Sequence, residues 1–424
     1  MTAPLLRKVR RRLLPLVIAS YVICYIDRTN IGMAQLRMGE EIGLDPAGFG
    51  LAAGAFFVGY ALCEIPSNLV LHRVGARRWI ARIMVTWGLL SGATALVSTP
   101  EQLYVVRFLL GMAEAGFFPG VILYFSYWFP QRERARLIAM LMAGIPVSFL
   151  VANPVSGWLV EQVSWQAMFV VEALPAVVLG VAVWFVLPDR PAQARWLTEA
   201  ERAELLADLA RETPPERPAR AGLLNRRVLA IAFVSSGSVF GAYLLSLFLP
   251  QMVEQLWPHA GETGIGLICA IPYGFAVLAM LAWGAHSDRT GDRAGHLLAA
   301  CLLSAAGFAL AGLASAPLLV LAGLVLAAMG KFAAVPITYS LPTEFLSGRA
   351  AAAGIALVNS LAHLAAIAGP PVIGWLRQST GAFSAPLLLA GGYVLLTTVV
   401  VAGLGATRPD TVRQITPDVR NSGR

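Results

Sequence analysis

Charge is scarce in this chain. Asp, Glu, Lys and Arg make up 13% of its 424 residues, against about 25% in a soluble globular domain. So few charges cannot cover a large water-soluble surface, which excludes a soluble enzyme or binding domain as the bulk of the protein. Lysine is scarcer still. Lys8 and Lys331 are the only two, and the other 30 basic residues are arginine. The net charge of +8 marks no nucleic-acid surface, because its arginines sit in short segments between apolar runs. The four cysteines, Cys24, Cys63, Cys269 and Cys301, lie in apolar runs without CxxC or paired spacing. They read as small buried hydrophobes, not as a zinc or dithiol centre. Long polar segments are missing too, with one exception at residues 188–227.

What is present is apolar sequence in lengths that match a bilayer. The hydrophobic fraction is 57% and the mean hydropathy +0.69. Runs fall at about 13–36, 49–71, 79–98, 102–125, 137–160 and 167–187, then at about 228–252, 263–285, 296–315, 317–340, 350–376 and 383–405. About 20 residues cross a bilayer as a helix, so these predict twelve spans. The first run is too long for a signal-peptide core and lacks a small-residue cleavage site, so it is expected to remain as the first span.

Basic residues predict the orientation. With the N-terminus inside, 27 of the 32 Lys and Arg fall on inside segments and two, Arg37 and Arg377, outside; Arg28, Arg107 and Lys331 lie within spans. That asymmetry places both termini in the cytoplasm. The segment 188–227 is read as a cytoplasmic linker. Thr198-Glu199-Ala200-Glu201 is a capping box that opens a charged helix ending near Arg211, before Pro214-Pro215.

The two halves repeat. Arg73-Val74-Gly75-Ala76-Arg77 recurs as Arg289-Thr290-Gly291-Asp292-Arg293, and Pro154-Val155-Ser156-Gly157-Trp158-Leu159 as Pro371-Val372-Ile373-Gly374-Trp375-Leu376. Arg134-Ala135 recurs as Arg349-Ala350, and the three offsets are 216, 217 and 215. A duplicated six-span unit divides the chain into a first half, 1–187, the linker, 188–227, a second half, 228–405, and a tail, 406–424. Two parallel halves place a solute site at the midplane between them.

Gly284-Ala285-His286-Ser287-Asp288-Arg289-Thr290-Gly291-Asp292-Arg293 resembles the signature loop of the major facilitator superfamily. Its first-half copy is degenerate, with Asn68 and His72 in place of Gly and Asp. Ile23-Cys24-Tyr25-Ile26-Asp27-Arg28-Thr29-Asn30 resembles the first-helix motif of the anion:cation symporter family. Pro188-Asp189-Arg190-Pro191, Ala194-Arg195-Trp196-Leu197 and Asn359-Ser360 resemble its bacterial phthalate, tartrate and hydroxyphenylacetate permease branch. The resemblance implies an all-α fold of twelve transmembrane helices in two pseudo-repeats. It also implies proton-coupled uptake of an organic carboxylate across a bacterial inner membrane, with no cofactor beyond the proton gradient. A monomer and no nucleic-acid partner are expected.

Asp27 and Glu114 each fall about 13–15 residues into a span, near the midplane. A carboxylate balanced there between desolvation and a nearby cation can exchange protons. The resemblance makes these two the protonation sites. The alternative for Glu114 is a permanent pair with Arg107, seven residues earlier on the same face. Arg28 is the expected anion anchor, since its planar fork grips a carboxylate twice. About 100° separates it from Asp27 around the helix, so the two can face different neighbours, Asp27 toward the fourth span. Tyr60 reaches the same depth and the resemblance makes it a substrate contact; an interhelix hydroxyl bond is the other reading. Asn30 joins the substrate set, and Glu64 is left between a gate and a helix contact.

Three departures from the family bear on selectivity. Gly144-Ile145-Pro146 stands where sugar-acid carriers have a glutamine, so a polar contact is lost. Lys331 stands where the branch usually has proline, and His363 where it has asparagine, with Asn359 one turn away. Arg28 and Lys331 could hold two ends of a dianion; alternatively Lys331 reaches toward the cytoplasmic interface. Arg73, Arg77, Asp288, Arg289 and Arg293 read as ion-pairing residues of a gate. His72, His286 and His296 have no paired spacing, so no metal is assigned. A uniporter or exporter of anions remains the rival. An enzyme would need a constellation such as HExxH, and a sensor a soluble output domain; neither is visible.

Overall fold

The computed structural model describes residues 2–211, 225–341 and 348–403. Among them every regular element is helical. The first predicted span is a near-continuous rod, α1 (Ala3–Thr29) and α2 (Ile31–Ile42), joined at Asn30 with helical backbone angles. Next come α3 (Pro46–Val74) and α4 (Ala76–Ala93). The fourth span is broken, into α5 (Pro100–Glu114) and α6 (Phe117–Trp128). Then follow α7 (Gln131–Gln162), α8 (Trp165–Val186) and the linker helix α9 (Glu199–Ala210). The second half holds α10 (Arg226–Leu256), α11 (Glu262–Thr290) and α12 (Arg293–Leu313). It ends with α13 (Pro317–Ser340), α14 (Gly348–Thr380) and α15 (Ser384–Gly403).

Each predicted span thus has its rod. Ten are long and apolar enough to cross a membrane. The α1–α2 rod is diluted by Asp27, Arg28 and Asn30, and the apolar stretch of α15, Ser384–Val400, is shorter. The repeat is visible in packing. In the first half α1 packs on α7, α3 on α5 and α4 on α8; α10 on α14, α11 on α13 and α12 on α15 repeat those pairings.

The halves meet where α3 packs on α14, α7 on α11 and α2 on α10. On the side away from the linker, called distal here, these seams are backbone to backbone. A Cβ on Gly50 would strike the Pro370 carbonyl, and one on Gly157 the Glu262 carbonyl. Small residues permit this approach where no hydrophobic force drives helices together. The Thr263 N–H donates to Glu161 at 2.8 Å across the seam, and Gln378 donates to Asp45 at 3.1 Å. Arg37 on α2 pairs with the buried Glu262 on α11. The distal side is therefore closed.

Breaking the Arg37–Glu262 pair removes about 1 kcal/mol from that closure, roughly a fivefold population shift. With the four native cysteines replaced, an Asn153→Cys reporter in the seam should label severalfold faster from the distal side when Glu262→Gln is added. Unchanged labelling would place the pair outside the gate.

The linker side is tied differently. Thr198 forms the expected capping box with Glu201. Glu201 also takes two bonds from the Lys8 ammonium at 2.8 and 2.7 Å, which hold its carboxyl below the usual range. Arg132 pairs with Asp208 at 2.9 Å, and Arg10 with Glu133. Helix α9 is thereby strapped to the first half. Pro214-Pro215 and the tail lie outside the described residues.

Candidate functional site

The α5–α6 break falls directly after Glu114. Ala115 leaves the helix, and Gly116 takes φ 90°, a left-handed value that only glycine adopts freely. The freed Ala115 carbonyl accepts from Ser67 at 2.6 Å. An interrupted helix is tolerated at membrane depth when neighbours satisfy its backbone. The α1–α2 junction at Asn30, by contrast, keeps helical angles and bonds, so Glu114 alone of the two predicted proton sites sits at a broken helix, which the sequence reading did not foresee.

Between the halves is a cavity of about 160 Å³. Arg28, Tyr60 and Glu64 line it from the first half; Lys331, Asn359 and His363 line it from the second. Tyr25, Phe149, Tyr243 and Phe332 supply aromatic walls, and Ile145 an apolar one, where the missing polar contact was expected.

Arg28 is held by an ion pair with Glu114, whose side chain is buried. Its guanidinium lies 5.1–5.4 Å from the ring centroids of Tyr25, Phe56 and Tyr60. Cys24 donates to the same Glu114 oxygen at 3.1 Å. This corrects the alternative that paired Glu114 with Arg107. Arg107 is buried with its Nε and Nη2 unpartnered, and its guanidinium lies 4.9 Å from the Phe56 ring centroid. The break reorients the chain at Glu114, so spacing along one helix does not predict that side chain's partner.

Asp27 faces away from the cavity, as its 100° offset allows, but toward α4 and not the fourth span. Trp87 Nε1 donates to one oxygen at 2.8 Å and Ser91 Oγ to the other at 3.0 Å. Its hydrogen-bond partners are thus neutral, against the expected cation. Asn30 is a second correction. It is buried outside the cavity lining, within reach of Glu172 on α8. The sequence reading missed Glu172, although a lone acid inside an apolar span is a usable signal.

Glu64 and His363 bridge the halves, Oε2 to Nδ1 at 3.1 Å, and Tyr60 stands edge-on to His363. Asn359 Oδ1 accepts from Tyr339 at 3.0 Å. Lys331 lines the cavity with no acid at ion-pair distance among the described residues. The loop groups divide. Arg293 meets Asp288 at 3.5 Å, as expected, whereas Arg77 meets Asp189 of the linker at 3.4 Å; Arg73 and Arg289 are exposed. His286 and His296, unpaired by spacing, stand 2.6 Å apart, nitrogen to nitrogen. No group of three metal-ligating residues occurs among the described residues.

Two repeated six-helix halves around a charged cavity, with one helix broken beside Glu114, define a membrane carrier. Residues 17–257 and 231–420 match the Major Facilitator Superfamily, and the chain belongs to that family. A protein of Agrobacterium vitis named for tartrate transport is 46% identical over 97% of this chain and 93% of its own length. An Acinetobacter baumannii protein named as a quinolone resistance transporter is 37% identical over 96% of this chain and 97% of its own. The solved bacterial homologue of the human lysosomal transporter Spinster superposes with a TM-score of 0.75. It is 15% identical and covers 94% of this chain and 97% of that one. The chain is a multi-pass membrane transporter of that superfamily and not an enzyme.

Proposed function

We propose that the protein imports a dicarboxylate with protons across a bacterial inner membrane, as a monomer with both termini cytoplasmic. The observation that carries this reading is the cavity's charge. Arg28 enters from one half and Lys331 from the other, and the only acid paired to either among the described residues is Glu114. A substrate carboxylate must displace Glu114 to take the Arg28 fork. A proton on Glu114 dissolves its pair with Arg28 and frees the guanidinium, so proton and anion enter the site together. Lys331 then receives the second carboxylate. The tartrate relative supports a dianion, and the apolar Ile145 wall disfavours a densely hydroxylated one. With the distal side taken as extracellular, the closed distal seam corresponds to a state of an alternating-access cycle that is shut to the outside.

The test uses proteoliposomes. Adding a dicarboxylate outside should alkalinise the medium in step with its uptake. Uptake without alkalinisation means uniport, and export alone overturns import. In Lys331→Met the apparent affinity for the dicarboxylate should fall roughly tenfold or more, the worth of one charge-assisted hydrogen bond. Its monoamide should lose far less. Equal losses return Lys331 to a structural role.

A further inference from the structure

Glu172 lies inside the first half, away from the cavity lining. Ser156 on α7 donates to its Oε1 at 2.5 Å, while Oε2 has no partner. Beside it, Asn30 is 2% exposed and its amide lies against the Glu172 carboxyl, with no well-formed hydrogen bond of its own. The two side chains therefore satisfy each other only loosely at one buried point. Each unmet group costs about 1–3 kcal/mol, a cost that a shared water or an added proton would relieve. Asn30 is three residues from Asp27, one helical turn along the same rod. Depth orders the groups. Glu172 is about 10 Å from the distal end of α8 and Ser156 about 9 Å from that of α7, while Asp27 lies about 22 Å from the distal end of α2.

We infer that Glu172 is a proton-carrying station between the distal surface and Asp27, with Asn30 and a short chain of waters between the two carboxyls. The inference rests on the proton-coupled reading above. The step is a transfer along hydrogen bonds. A proton leaves Glu172 for the first water of that chain as the last water releases another to Asp27, and the distal solution then reprotonates Glu172. Asp27 on α1 is the titratable group facing Glu172. From α7 comes Ser156, and from α4 come Trp87 and Ser91 on Asp27 itself; Glu41 on α2 meets Trp165 at the distal start of α8. The path runs through one half of the carrier, so it would let Asp27 communicate with the distal solution while the seam between the halves is closed.

The experiment compares wild type and Glu172→Gln in proteoliposomes. In the variant, exchange of labelled for unlabelled dicarboxylate at equal pH should stay within about twofold. Uptake driven by a pH gradient should fall at least tenfold and lose its dependence on distal pH. A pH-jump infrared difference spectrum should lose one carboxylic C=O band. Unchanged driven uptake and pH profile overturn the inference, as does an equal loss of exchange, which would mark a structural role. If Glu172→Gln fails to fold, Asn30→Ala and Ser156→Ala keep the carboxyl and should displace the pH profile; an unmoved profile overturns the inference. A wild type that shows no pH-driven uptake would sink both the coupling reading and this one. Normal coupling with an indifferent Glu172 sinks this one alone.

Discussion

Glu114→Gln is expected to abolish uptake against a concentration gradient while leaving exchange in place. The amide is nearly isosteric and keeps Glu114's place beside Arg28, but it has no charge to compete with the substrate and no proton to give up. Arg28 then stays open to the anion whatever the pH. Uphill uptake should drop by at least a hundredfold, and binding should lose its pH dependence. Asp27→Asn should uncouple as well, with an added cost. An amide oxygen can accept from Trp87 or from Ser91, but its NH2 cannot accept from the other. One buried donor is left unmet, at about 1–3 kcal/mol, so this variant should also melt at a lower temperature. If both variants still concentrate substrate with wild-type pH dependence, the two carboxylates are not the coupling sites.

Arg28→Lys is expected to fail nearly as completely as Arg28→Ala. The guanidinium serves Glu114 now and a substrate carboxylate later, and it does so among the Tyr25, Phe56 and Tyr60 rings. An ammonium keeps the charge but loses the planar fork and much of the ring contact. Losing one charge-assisted bond and the stacking should weaken substrate binding roughly a hundredfold. Substrate-induced thermal stabilisation and the transport KM both read this. Wild-type affinity in the lysine variant would remove Arg28 from the substrate site.

These predictions draw unequally on sequence and structure. Depth was legible from the chain alone, because each helical residue adds a fixed rise and the apolar runs mark the bilayer. Arg28, Tyr60, Lys331 and His363, given similar depths by that count, do line one cavity between the halves. The duplicated halves were legible too, since a repeat at a constant offset needs no coordinates, and the same helix pairings recur in both halves. Even the divergence of Asp27 from Arg28 followed from 100° per residue.

The partners were decided by tertiary structure. A helical sequence determines how its side chains are spaced around their own axis, but not how that axis is rotated against its neighbours. Asp27 could have met the fourth span; packing turned it to Trp87 and Ser91 on α4. Glu114 could have met Arg107 on its own helix; the break at Ala115-Gly116 left it on Arg28 of another. Asn30, assigned to the substrate, was turned into the first half beside Glu172. Glu64 and His363 lie far apart in sequence and meet only because α3 packs on α14. Composition and the internal repeat determined twelve apolar rods in two duplicated halves. Which acid holds which base was decided by helix rotation and by the helix break at Ala115-Gly116, because those contacts form between segments whose relative orientation no local pattern encodes.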